Sequence, residues 1–474
     1  MKYLFTVTLV TVISLSTYAQ KLNKQLFSDL ESKKQSYEEA SMKIWYLAEV
    51  GYQEEKSSKV LQELLKNEGF KIEAGVSEIP TAFVATYGSG EPVIGIMGEY
   101  DALPGISQKA VSYKEPLTEG GAGHACGHHL FGVASAAAAI AAKNWLAQNG
   151  GSGTIKFYGT PAEEGGSGKV YMARAGLFDD CDAVLHWHPG DGNGASPSTT
   201  LANKTGKFRF YGVSAHASGA PERGRSALDA VEAMNFMVNM MREHTTEDTR
   251  IHYVITSGGK APNVVPDFAE VYYYVRHPDP QEVKSLWQRL ENAANGAALG
   301  TDTEVEIEVT GGVYNVLPNE TLQRIVHENL TEVGGFDYTA DEAQFAEEIS
   351  KSLGKSAKPL NTTNEVASYQ YYVVKASTDV GDVSWTVPTA GMRAATWVPG
   401  TAAHSWQAVA AGGTSIGQKG MMVAAKTLAL TIAELIDKPA VLAKVQEEFE
   451  ASRGSDFVYE ALVGDRGPAL DYRK

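Results

Sequence analysis

The chain has 474 residues, more than one hydrophobic core usually spans, so we expect two domains. Its composition, with 43% hydrophobic and 21% charged residues, is that of an ordinary globular protein. The formal net charge of -16 argues against nucleic acid or an anionic membrane as a partner, since both require a basic protein surface.

The N-terminus has the pattern of a secretory signal peptide. Met1-Lys2 is a short basic start, residues 4–15 are apolar apart from hydroxyl side chains, and Ala19 precedes the predicted cleavage point. The apolar run is too short for a comfortable transmembrane span, and a buried N-terminal helix is the alternative. We therefore expect residues 1–19 to be removed and the enzyme to be secreted across the inner membrane into the periplasm.

Strands and helices alternate in the first half of the remaining chain. Residues 24–69 look helical, with Gly69 as the stop, and the alanine-rich segment 130–148 is a second helix. Short apolar runs predict buried parallel strands, and these runs are 92–97, 154–158 and 183–187. Such alternation indicates an α/β domain with a mostly parallel sheet.

The pattern changes near Leu201. Half-exposed strands and helices then follow in the order β-α-β-β-α-β, at residues 207–211, 226–244, 251–256, 269–276, 281–298 and 304–309. This order predicts an inserted α+β (ferredoxin-like) domain, in which two helices cover one face of an antiparallel sheet. Because α/β features resume after Pro318, we expect residues 20–202 and 316–474 to form the larger domain and residues 203–315 the inserted one.

Four short segments carry metal-binding side chains. They are His124-Ala-Cys-Gly-His-His129, Pro161-Ala-Glu-Glu164, His186-Trp-His188 and Thr401-Ala-Ala-His404. In an open α/β sheet, ligands bind beyond the carboxyl ends of the strands, and the second and third segments lie at such ends. A thiolate, imidazoles and carboxylates in one place suit zinc or a similar transition ion. The sequence therefore predicts a divalent-metal site and a hydrolase.

Two adjacent carboxylates beside a metal can divide the work. One ligates the ion, while the other takes a proton from the attacking water and passes it to the leaving amine. We assign Glu164 to the metal and Glu163 to the base. The alternative is a solvated acidic turn before the glycine pair that follows.

The two cysteines differ in their neighbours. Cys126 lies beside His128 and just before the alanine-rich helix, whose N-terminus should lower the pKa of the thiol and favour metal ligation. The alternatives are a small buried packing residue or, with Cys181, a disulfide. Cys181 has no histidine neighbours, so we expect a packing role and no disulfide.

Further residues are candidates near the metal. His186 and His188 are two apart in a strand and therefore point to the same side, so one can ligate while the other lines the pocket. His404 is a weak signal alone, because a single loop histidine is usually a surface residue. Asp101 can orient a ligand histidine, or it can be a turn residue before Pro104.

At these residues the chain resembles the aminoacylase and carboxypeptidase type of dinuclear metallopeptidase, in its amidohydrolase branch. The resemblance covers essentially everything after the N-terminal 20 residues. It rests on six ordered segments, Gly98-Glu-Tyr-Asp-Ala-Leu103, Gly123-His-Ala-Cys-Gly-His128, Glu163-Glu-Gly-Gly-Ser-Gly-Lys169, Gly224-Arg-Ser-Ala-Leu-Asp-Ala230, Pro262-Asn-Val-Val265 and Ser377-Thr-Asp-Val-Gly-Asp-Val-Ser-Trp385. It implies two divalent metal ions, zinc or manganese.

The resemblance also implies roles for individual residues. The metal ligands would be Cys126, His128, Glu164, His188 and His404. Glu163 would be the base, His216 would stabilise the tetrahedral oxyanion, and Asn263 and Arg276 would lie near the substrate's carbonyl or carboxylate. The chain departs from the branch pattern at His129 and Glu99, where relatives often have aspartate, and His186 remains an alternative to His188.

The activity implied is that of a metal-dependent amidohydrolase that cleaves an N-acyl or N-aroyl amino acid of the p-aminobenzoyl-glutamate kind. The inserted domain would serve as a lid and dimerisation domain, so we expect a homodimer or a heteromer with a sister subunit. Three alternatives remain open: a metallo-dipeptidase or aminopeptidase, a secreted binding protein without activity, and a thiol hydrolase that uses Cys126.

Overall fold

A computed structural model describes residues 24–474. The predicted signal peptide, residues 1–19, lies outside the described residues. The structure contains a six-stranded sheet, a four-stranded sheet and a short two-stranded one. The strands are β1 (Lys71–Ala74), β2 (Phe83–Ser89), β3 (Val93–Gly98), β4 (Gly153–Gly159), β5 (Ala183–Gly190), β6 (Ser198–Thr199), β7 (Ala202–Tyr211), β8 (Arg250–Ser257), β9 (Phe268–His277), β10 (Glu304–Val313), β11 (Tyr372–Val373) and β12 (Thr389–Ala395).

Helices cover both of the larger sheets. They are α1 (Lys34–Leu47), α2 (Glu55–Asn67), α3 (His128–Asn149), α4 (Gly168–Arg174), α5 (Ala227–Met241), α6 (Pro280–Thr301), α7 (Glu320–Val333), α8 (Ala340–Leu353), α9 (Val380–Ser384), α10 (Trp406–Gly412), α11 (Ser415–Asp437) and α12 (Pro439–Arg453). Short 3-10 turns occur at Val76–Glu78, Pro221–Arg223, Arg242–His244, Gly354–Ser356 and Leu360–Thr363.

The six-stranded sheet has the order β1-β2-β4-β3-β5-β12. Strands β4, β3, β5 and β12 are parallel to one another, whereas β1 and β2 pair antiparallel at one side. The parallel strands are apolar runs because both faces of the sheet are buried. The carboxyl ends of these neighbouring strands therefore meet at one edge, where a ligand site is expected.

Helix α3 lies in the centre of the larger core. Its alanine-rich run is buried along almost the whole length, and the small side chains let it pack closely against α11. Among the described helices, α3 alone is long and apolar enough to cross a membrane, but 83% of that stretch is buried inside the protein. Its composition is therefore explained by its place in the core.

The four-stranded sheet has the order β10-β7-β9-β8 and is antiparallel throughout. In chain order its elements run β7-α5-β8-β9-α6-β10, and both helices pack on one face around Phe208, Tyr273 and Trp287. The prediction of a mostly parallel α/β unit with an inserted ferredoxin-like α+β unit is confirmed. The opposite face of this second sheet has neither of these helices packed on it, and its alternate residues are mostly polar.

The structure differs from the sequence-based elements in two places. Residues 24–69 do not form one helix, because Ala48 adopts a left-handed conformation (φ 42°) that ends α1, and the chain then turns so that Glu54 is buried. Strands β1, β2 and β12 were not predicted from the sequence. Strand β1 has only four residues, and β2 lacks a strict alternation of polar and apolar residues. The pairing of β1 with β2 and of β2 with β4 therefore defines them.

A buried carboxyl group, Asp382, joins the last part of the chain to the core. It accepts hydrogen bonds from the Tyr459 hydroxyl at 2.7 Å and from the Tyr314 backbone N–H at 3.0 Å. Burial raises the pKa of Asp382 to about 7, and these two hydrogen bonds only partly oppose that effect. The folded protein therefore holds this proton to a higher pH than the unfolded chain does.

This raised pKa predicts a pH-dependent stability. The proton on Asp382 contributes to the free energy of unfolding. This contribution is complete below the unfolded pKa of about 4, amounts to at most roughly 4 kcal/mol, and is lost as the pH rises toward 7. We expect an Asp382→Asn variant to lack this loss, so its free energy of unfolding should fall less between pH 4 and pH 8. Urea unfolding of both proteins across this range measures the difference. Parallel pH profiles would contradict the assignment.

Candidate metal centre

Most of the residues predicted for the metal site lie at the carboxyl ends of three parallel strands or at the start of the neighbouring helix α3. Glu99 and Asp101 follow β3, and Glu163 and Glu164 follow β4. The histidines at positions 186 and 188 lie in the second half of β5, and His128 begins α3. The order β4-β3-β5 makes these strands neighbours, so residues distant in sequence share one edge of the sheet.

Three clusters of ligand atoms form there. Each contains three side chains whose ligand atoms lie within 4.8 Å of one another, namely Cys126/His128/His188, Cys126/Glu164/His404 and Glu99/His128/Glu163. Cys126 Sγ lies 3.5 Å from His188 Nε2 and 3.5 Å from His404 Nε2. The first two clusters therefore share the sulfur of Cys126, and His404 Nε2 lies 3.1 Å from Glu164 Oε1.

Hydrogen bonds orient the histidines toward the shared point. Asp101 Oδ1 lies 2.8 Å from His128 Nδ1, which leaves Nε2 to face the cluster. The carbonyl oxygen of Pro189 accepts a hydrogen bond at 2.7 Å from His188 Nδ1, so Nε2 of that ring also faces Cys126. These contacts are those expected of ligand histidines, whose second ring nitrogen is held by another group.

Gly127 allows the two segments to approach each other. It has a φ of 76°, and a Cβ at this position would lie 2.6 Å from Pro189 Cβ. A side chain here would therefore push the segment of Cys126 and His128 away from His188. The Cys-Gly-His spacing in the sequence is thus explained by the close approach of the Gly127 backbone to the Pro189 ring as well as by the ligand types.

The loop that carries Glu163 and Glu164 has an unusual backbone. Ala162, Gly165 and Ser167 have φ values of 57°, 95° and 58°. The N–H of Ala162 donates to Glu54 Oε1 at 2.8 Å, and the N–H of Glu164 donates to Asp101 Oδ2 at 2.9 Å. Two non-glycine residues in the left-handed region require such support, because the conformation costs free energy.

Beneath the clusters lies a buried ion network that sequence reasoning did not identify. Lys169 Nζ lies 2.6 Å from Glu99 Oε1 and 2.7 Å from Asp379 Oδ1, and all three side chains are almost completely buried. Glu99 Oε2 in turn lies 3.0 Å from His128 Nε2. Lys169 and Asp379 stand in two of the segments that carry the family resemblance, so a signal was present but had no assigned role.

Electrostatics at the site follow from burial. Burial raises the pKa of Glu163 well above its usual value, and the negative charges of Glu99 and Glu164 add to the effect. Burial also raises the pKa of the Cys126 thiol to about 12, and only His128 opposes it appreciably. Desolvation therefore shifts this pKa in the direction opposite to the lowering that was expected from the helix N-terminus.

The donor set fits a divalent cation. His128 Nε2, Glu99 Oε2 and Glu164 Oε1 are buried, and none of them forms a hydrogen bond of acceptable geometry within residues 24–474, although His128 Nε2 lies 3.0 Å from Glu99 Oε2 and Glu164 Oε1 lies 3.1 Å from His404 Nε2. Buried polar atoms without hydrogen bonds are costly, and a cation between them would remove that cost. Thiolate, imidazole and carboxylate ligands together are typical of zinc and related ions.

A cavity of about 600 Å³ opens above the clusters. Its floor contains Cys126, Glu163, Glu164, His188 and His404. Its opposite wall is the helix-free face of the second sheet, from which Asn203, Thr205, Tyr272, Tyr274, Arg276 and Thr310 line it. The second sheet therefore faces the metal centre directly.

Two arginines line this cavity, and one of them, Arg276, was expected from the sequence. Arg276 lies on β9, and Arg393 lies on β12 beside His188, its partner in the strand register. Neither guanidinium forms an ion pair with any residue of the described chain, and Arg276 Nε is buried without a hydrogen-bond partner. Arg393 was missed because strand β12 was missed.

Several predicted residues lie outside the donor clusters. His186 lines the cavity, with its ring over Gly391, where a Cβ would come within 2.3 Å of the ring. His129 is buried and donates to the Gly412 carbonyl at 3.0 Å, so it packs under α10. His216 and Asn263 are exposed and lie in the loops that follow β7 and β8, where the Ala217 N–H donates a hydrogen bond to the Asn263 carbonyl at 3.0 Å. Neither is among the residues that line the cavity. Both cysteines are buried free thiols.

Comparison with known proteins identifies one family and a consistent set of relatives. Peptidase family M20/M25/M40 matches residues 95–360. The chain is 41% identical over 458 residues to a subunit of the p-aminobenzoyl-glutamate hydrolase of Escherichia coli, covering 91% of this chain and 95% of the relative. It is 30% identical over 430 residues to Xaa-Arg dipeptidase of Homo sapiens, covering 86% of this chain and 88% of the relative.

Solved structures show the same fold. An aminobenzoyl-glutamate utilization protein from Klebsiella pneumoniae superimposes with a TM-score of 0.62 at 20% identity, covering 86% of this chain and 98% of that one. A dinuclear metal binding peptidase of the M20 family from Bacillus subtilis gives a TM-score of 0.57 at 16% identity, covering 86% and 99%. At these identities the similarity concerns the fold.

The prediction of export to the periplasm is wrong. The matched p-aminobenzoyl-glutamate hydrolase proteins of Escherichia coli are known as cytoplasmic enzymes. A basic start followed by a short apolar run indicates only that a segment prefers an apolar environment. It does not distinguish an export signal from other N-terminal segments, which is why the pattern misled.

Proposed function

The chain belongs to peptidase family M20/M25/M40 and is a metal-dependent amidohydrolase, and on this premise we propose that it hydrolyses the amide bond of N-aroyl or N-acyl amino acids that carry two carboxylates. One observation carries the proposal: a cavity whose floor is a cluster of metal ligands also contains two arginines without acidic partners in the described chain. p-Aminobenzoyl-glutamate, the substrate in the name of the Escherichia coli relative, has this chemistry.

We assign the metal ligands from the clusters. Cys126, His128 and His188 would hold one ion, and Cys126, Glu164 and His404 the other, so the thiolate would serve both. Bound divalent ions supply two things here: they acidify the attacking water, and they polarise the scissile carbonyl. The donor types favour zinc, with manganese as the alternative.

Glu163 is the general base in this proposal. It lines the cavity beside Glu164, and burial raises its pKa, so its carboxylate would hold a proton taken from the attacking water more strongly than an exposed glutamate does. The proton then passes to the amide nitrogen as the bond to the amino acid breaks. Asp101 holds His128 through Nδ1, and Lys169 holds Glu99 at the floor of the site from below.

The substrate would lie between the metals and the second sheet. Two tyrosines, Tyr272 and Tyr274, would pack their rings against the aroyl group of the substrate. Two arginines, Arg276 and Arg393, would bind the carboxylates of its amino-acid part. An arginine-bearing dipeptide, the substrate type in the name of the Homo sapiens relative, would bring a cation toward these two cations. The charge of these two arginines therefore favours acidic over basic substrates.

We further propose that residues 203–315 act as a lid and dimerisation unit on a catalytic unit formed by residues 20–202 and 316–474. Strand β8 is an edge of the second sheet, and its Val254 and Ile255 are exposed. An uncovered apolar edge strand favours pairing with another strand, here that of a second copy or of a sister subunit. His216 and Asn263, near the surface of the same unit, would then act on the cavity of the other copy.

A substrate panel tests the function. We expect a metal-loaded sample to hydrolyse p-aminobenzoyl-glutamate and benzoyl-glutamate about 10- to 100-fold faster in kcat/KM than benzoyl-alanine, since a charged hydrogen bond contributes about 1.5–3 kcal/mol. Arg393→Met and Arg276→Met should each lower kcat/KM for the glutamate substrates. Each should therefore reduce the ratio of this kcat/KM to that for benzoyl-alanine. Arg225→Met, at a position outside the cavity, is the matched control.

Other outcomes of the panel point to the alternatives. Faster hydrolysis of an Xaa-Arg dipeptide than of every acidic substrate would establish the dipeptidase function instead. Absence of all hydrolysis in the metal-loaded sample would support the alternative of a binding protein without activity. Equal rates for benzoyl-glutamate and benzoyl-alanine would contradict the role of the arginines while leaving the amidohydrolase in place.

A further inference from the structure

The last residues of the chain reach the metal centre from outside. After α12, residues 454–474 form what we call the C-terminal strap, which has no strands or α-helices. It runs past the edge strand β10 of the second sheet to the loop that carries Glu163 and Glu164, here called the catalytic loop. The Arg466 guanidinium donates hydrogen bonds to the backbone carbonyls of Val309 and Thr310 on β10. Arg174 on α4 donates to the strap carbonyls of Gly464 and Arg466. The strap is therefore anchored before its final residues.

Two contacts of the strap fall on a single atom of the catalytic loop. The Tyr472 hydroxyl donates a hydrogen bond to the carbonyl oxygen of Glu164 at 3.0 Å, and Arg473 Nη2 donates to the same oxygen at 2.8 Å. The Tyr472 ring packs edge-on against Tyr52, with ring centroids 5.6 Å apart. The Tyr52 hydroxyl donates to the Gly166 carbonyl at 2.7 Å.

With these contacts, both backbone polar groups of Glu164 are hydrogen-bonded. The N–H of Glu164 is held by Asp101 from the strand side, and its carbonyl is held by the strap from the other side. With positive φ values at Ala162 and Ser167, the loop would relax if one side were released, because left-handed backbone at these residues is unfavourable by itself. The strap therefore opposes the relaxation of the loop between Ala162 and Ser167.

We propose that Tyr472 and Arg473 are positioning residues, which hold the Glu164 carboxylate in ligand geometry and the neighbouring Glu163 in reach of the attacking water. The inference rests on the proposed roles of Glu163 and Glu164. Loss of an outer contact of a metal ligand typically costs about 10- to 100-fold in metal affinity or activity. A displacement of about 1 Å at a reacting group can cost about 100-fold in rate.

The test compares metal affinity with turnover. Tyr472→Phe, Arg473→Met and the double variant are titrated in the metal-free form with Zn²⁺ against a chromophoric chelator, and kcat, KM and melting temperature are measured on the metal-loaded form. We expect the double variant to bind at least one Zn²⁺ about tenfold more weakly. Its kcat should fall about tenfold or more with little change in KM. Arg473→Lys, which keeps a donor, should recover part of both losses.

The control is Asp471→Asn, an exposed position of the same strap that should leave affinity and kcat unchanged. A double variant with wild-type zinc affinity and kcat would overturn the proposal, and so would a lowered melting temperature with both values intact. If the double variant does not fold, Tyr472→Phe decides, because it keeps the packed ring and removes one hydroxyl. If the wild-type protein hydrolyses none of the panel, the proposed function fails, but the zinc titration still decides the role of the strap.

Discussion

Replacing Glu163 by glutamine is expected to lower kcat about 1000-fold or more while the protein keeps its metal ions. Glutamine has nearly the shape of glutamate but cannot take up a proton from the attacking water. Because the proposed ligands are Cys126, His128, Glu164, His188 and His404, removal of the Glu163 charge leaves the donor set intact. Steady-state kinetics with p-aminobenzoyl-glutamate, together with metal analysis of the same sample, measures both halves of this expectation.

Two further variants separate the roles of neighbouring carboxylates. Glu164→Gln should lose metal as well as rate, since it removes a ligand of one cluster. Glu73→Gln makes the same chemical change at an exposed position of edge strand β1 and should alter neither. A normal rate in Glu163→Gln would show that another group moves the proton, and loss of metal in that variant would place Glu163 among the ligands.

Removal of the metal is expected to abolish hydrolysis, with a loss of at least about 1000-fold, because the water and the carbonyl are then no longer activated. Dialysis against a chelator, followed by addition of Zn²⁺ or Mn²⁺, measures both the loss and the recovery. The ion that restores more activity at an equal bound amount identifies the better cofactor. A thiol hydrolase that used Cys126 would instead keep its activity after chelation.

A matched pair of cysteine variants sharpens this result. Cys126→Ser should weaken metal binding, because a hydroxyl is a poor substitute for a thiolate shared by two clusters. Cys181→Ser is the control, since Cys181 is also a buried free thiol but lies beside the Tyr158 hydroxyl, 3.1 Å away, outside the donor clusters. Activity that survives chelation but is lost in Cys126→Ser would support the thiol mechanism and contradict ours.

Much of the site was visible in the sequence because its residues follow strands. The apolar runs before Glu99 and Glu163 predict parallel strands, and the ends of parallel strands meet at one edge. That inference brought Glu164 and His188 into one site without coordinates. Cys126 was added to them because of its neighbour His128 and its place before the alanine-rich helix, and the clusters contain all three residues. The family resemblance, which the comparisons confirm, rested on the same segments.

Other parts of the site depend on contacts that no local pattern encodes. Lys169 pairs with Glu99 and Asp379, which lie 70 and 210 positions away along the chain. Arg393 enters the cavity because β12 pairs with β5, and that strand has no clear alternation. Tyr472 and Arg473 stand in no recognisable motif, and their relation to Glu164 arises only because the strap passes the edge strand β10 and reaches the loop of Glu164.

Most of the local structure and the types of ligand could be predicted from the sequence. Strand and helix periods, the order of the ferredoxin-like unit, and the types of ligand follow from side-chain pattern, because burial imposes a period on each element. The tertiary structure alone decided which of His186 and His188 faces Cys126, that two arginines share the cavity, and that His216 and Asn263 lie away from it. The physical reason is that such relations join residues far apart in the chain, and only the packing of whole elements brings their side chains within bonding distance.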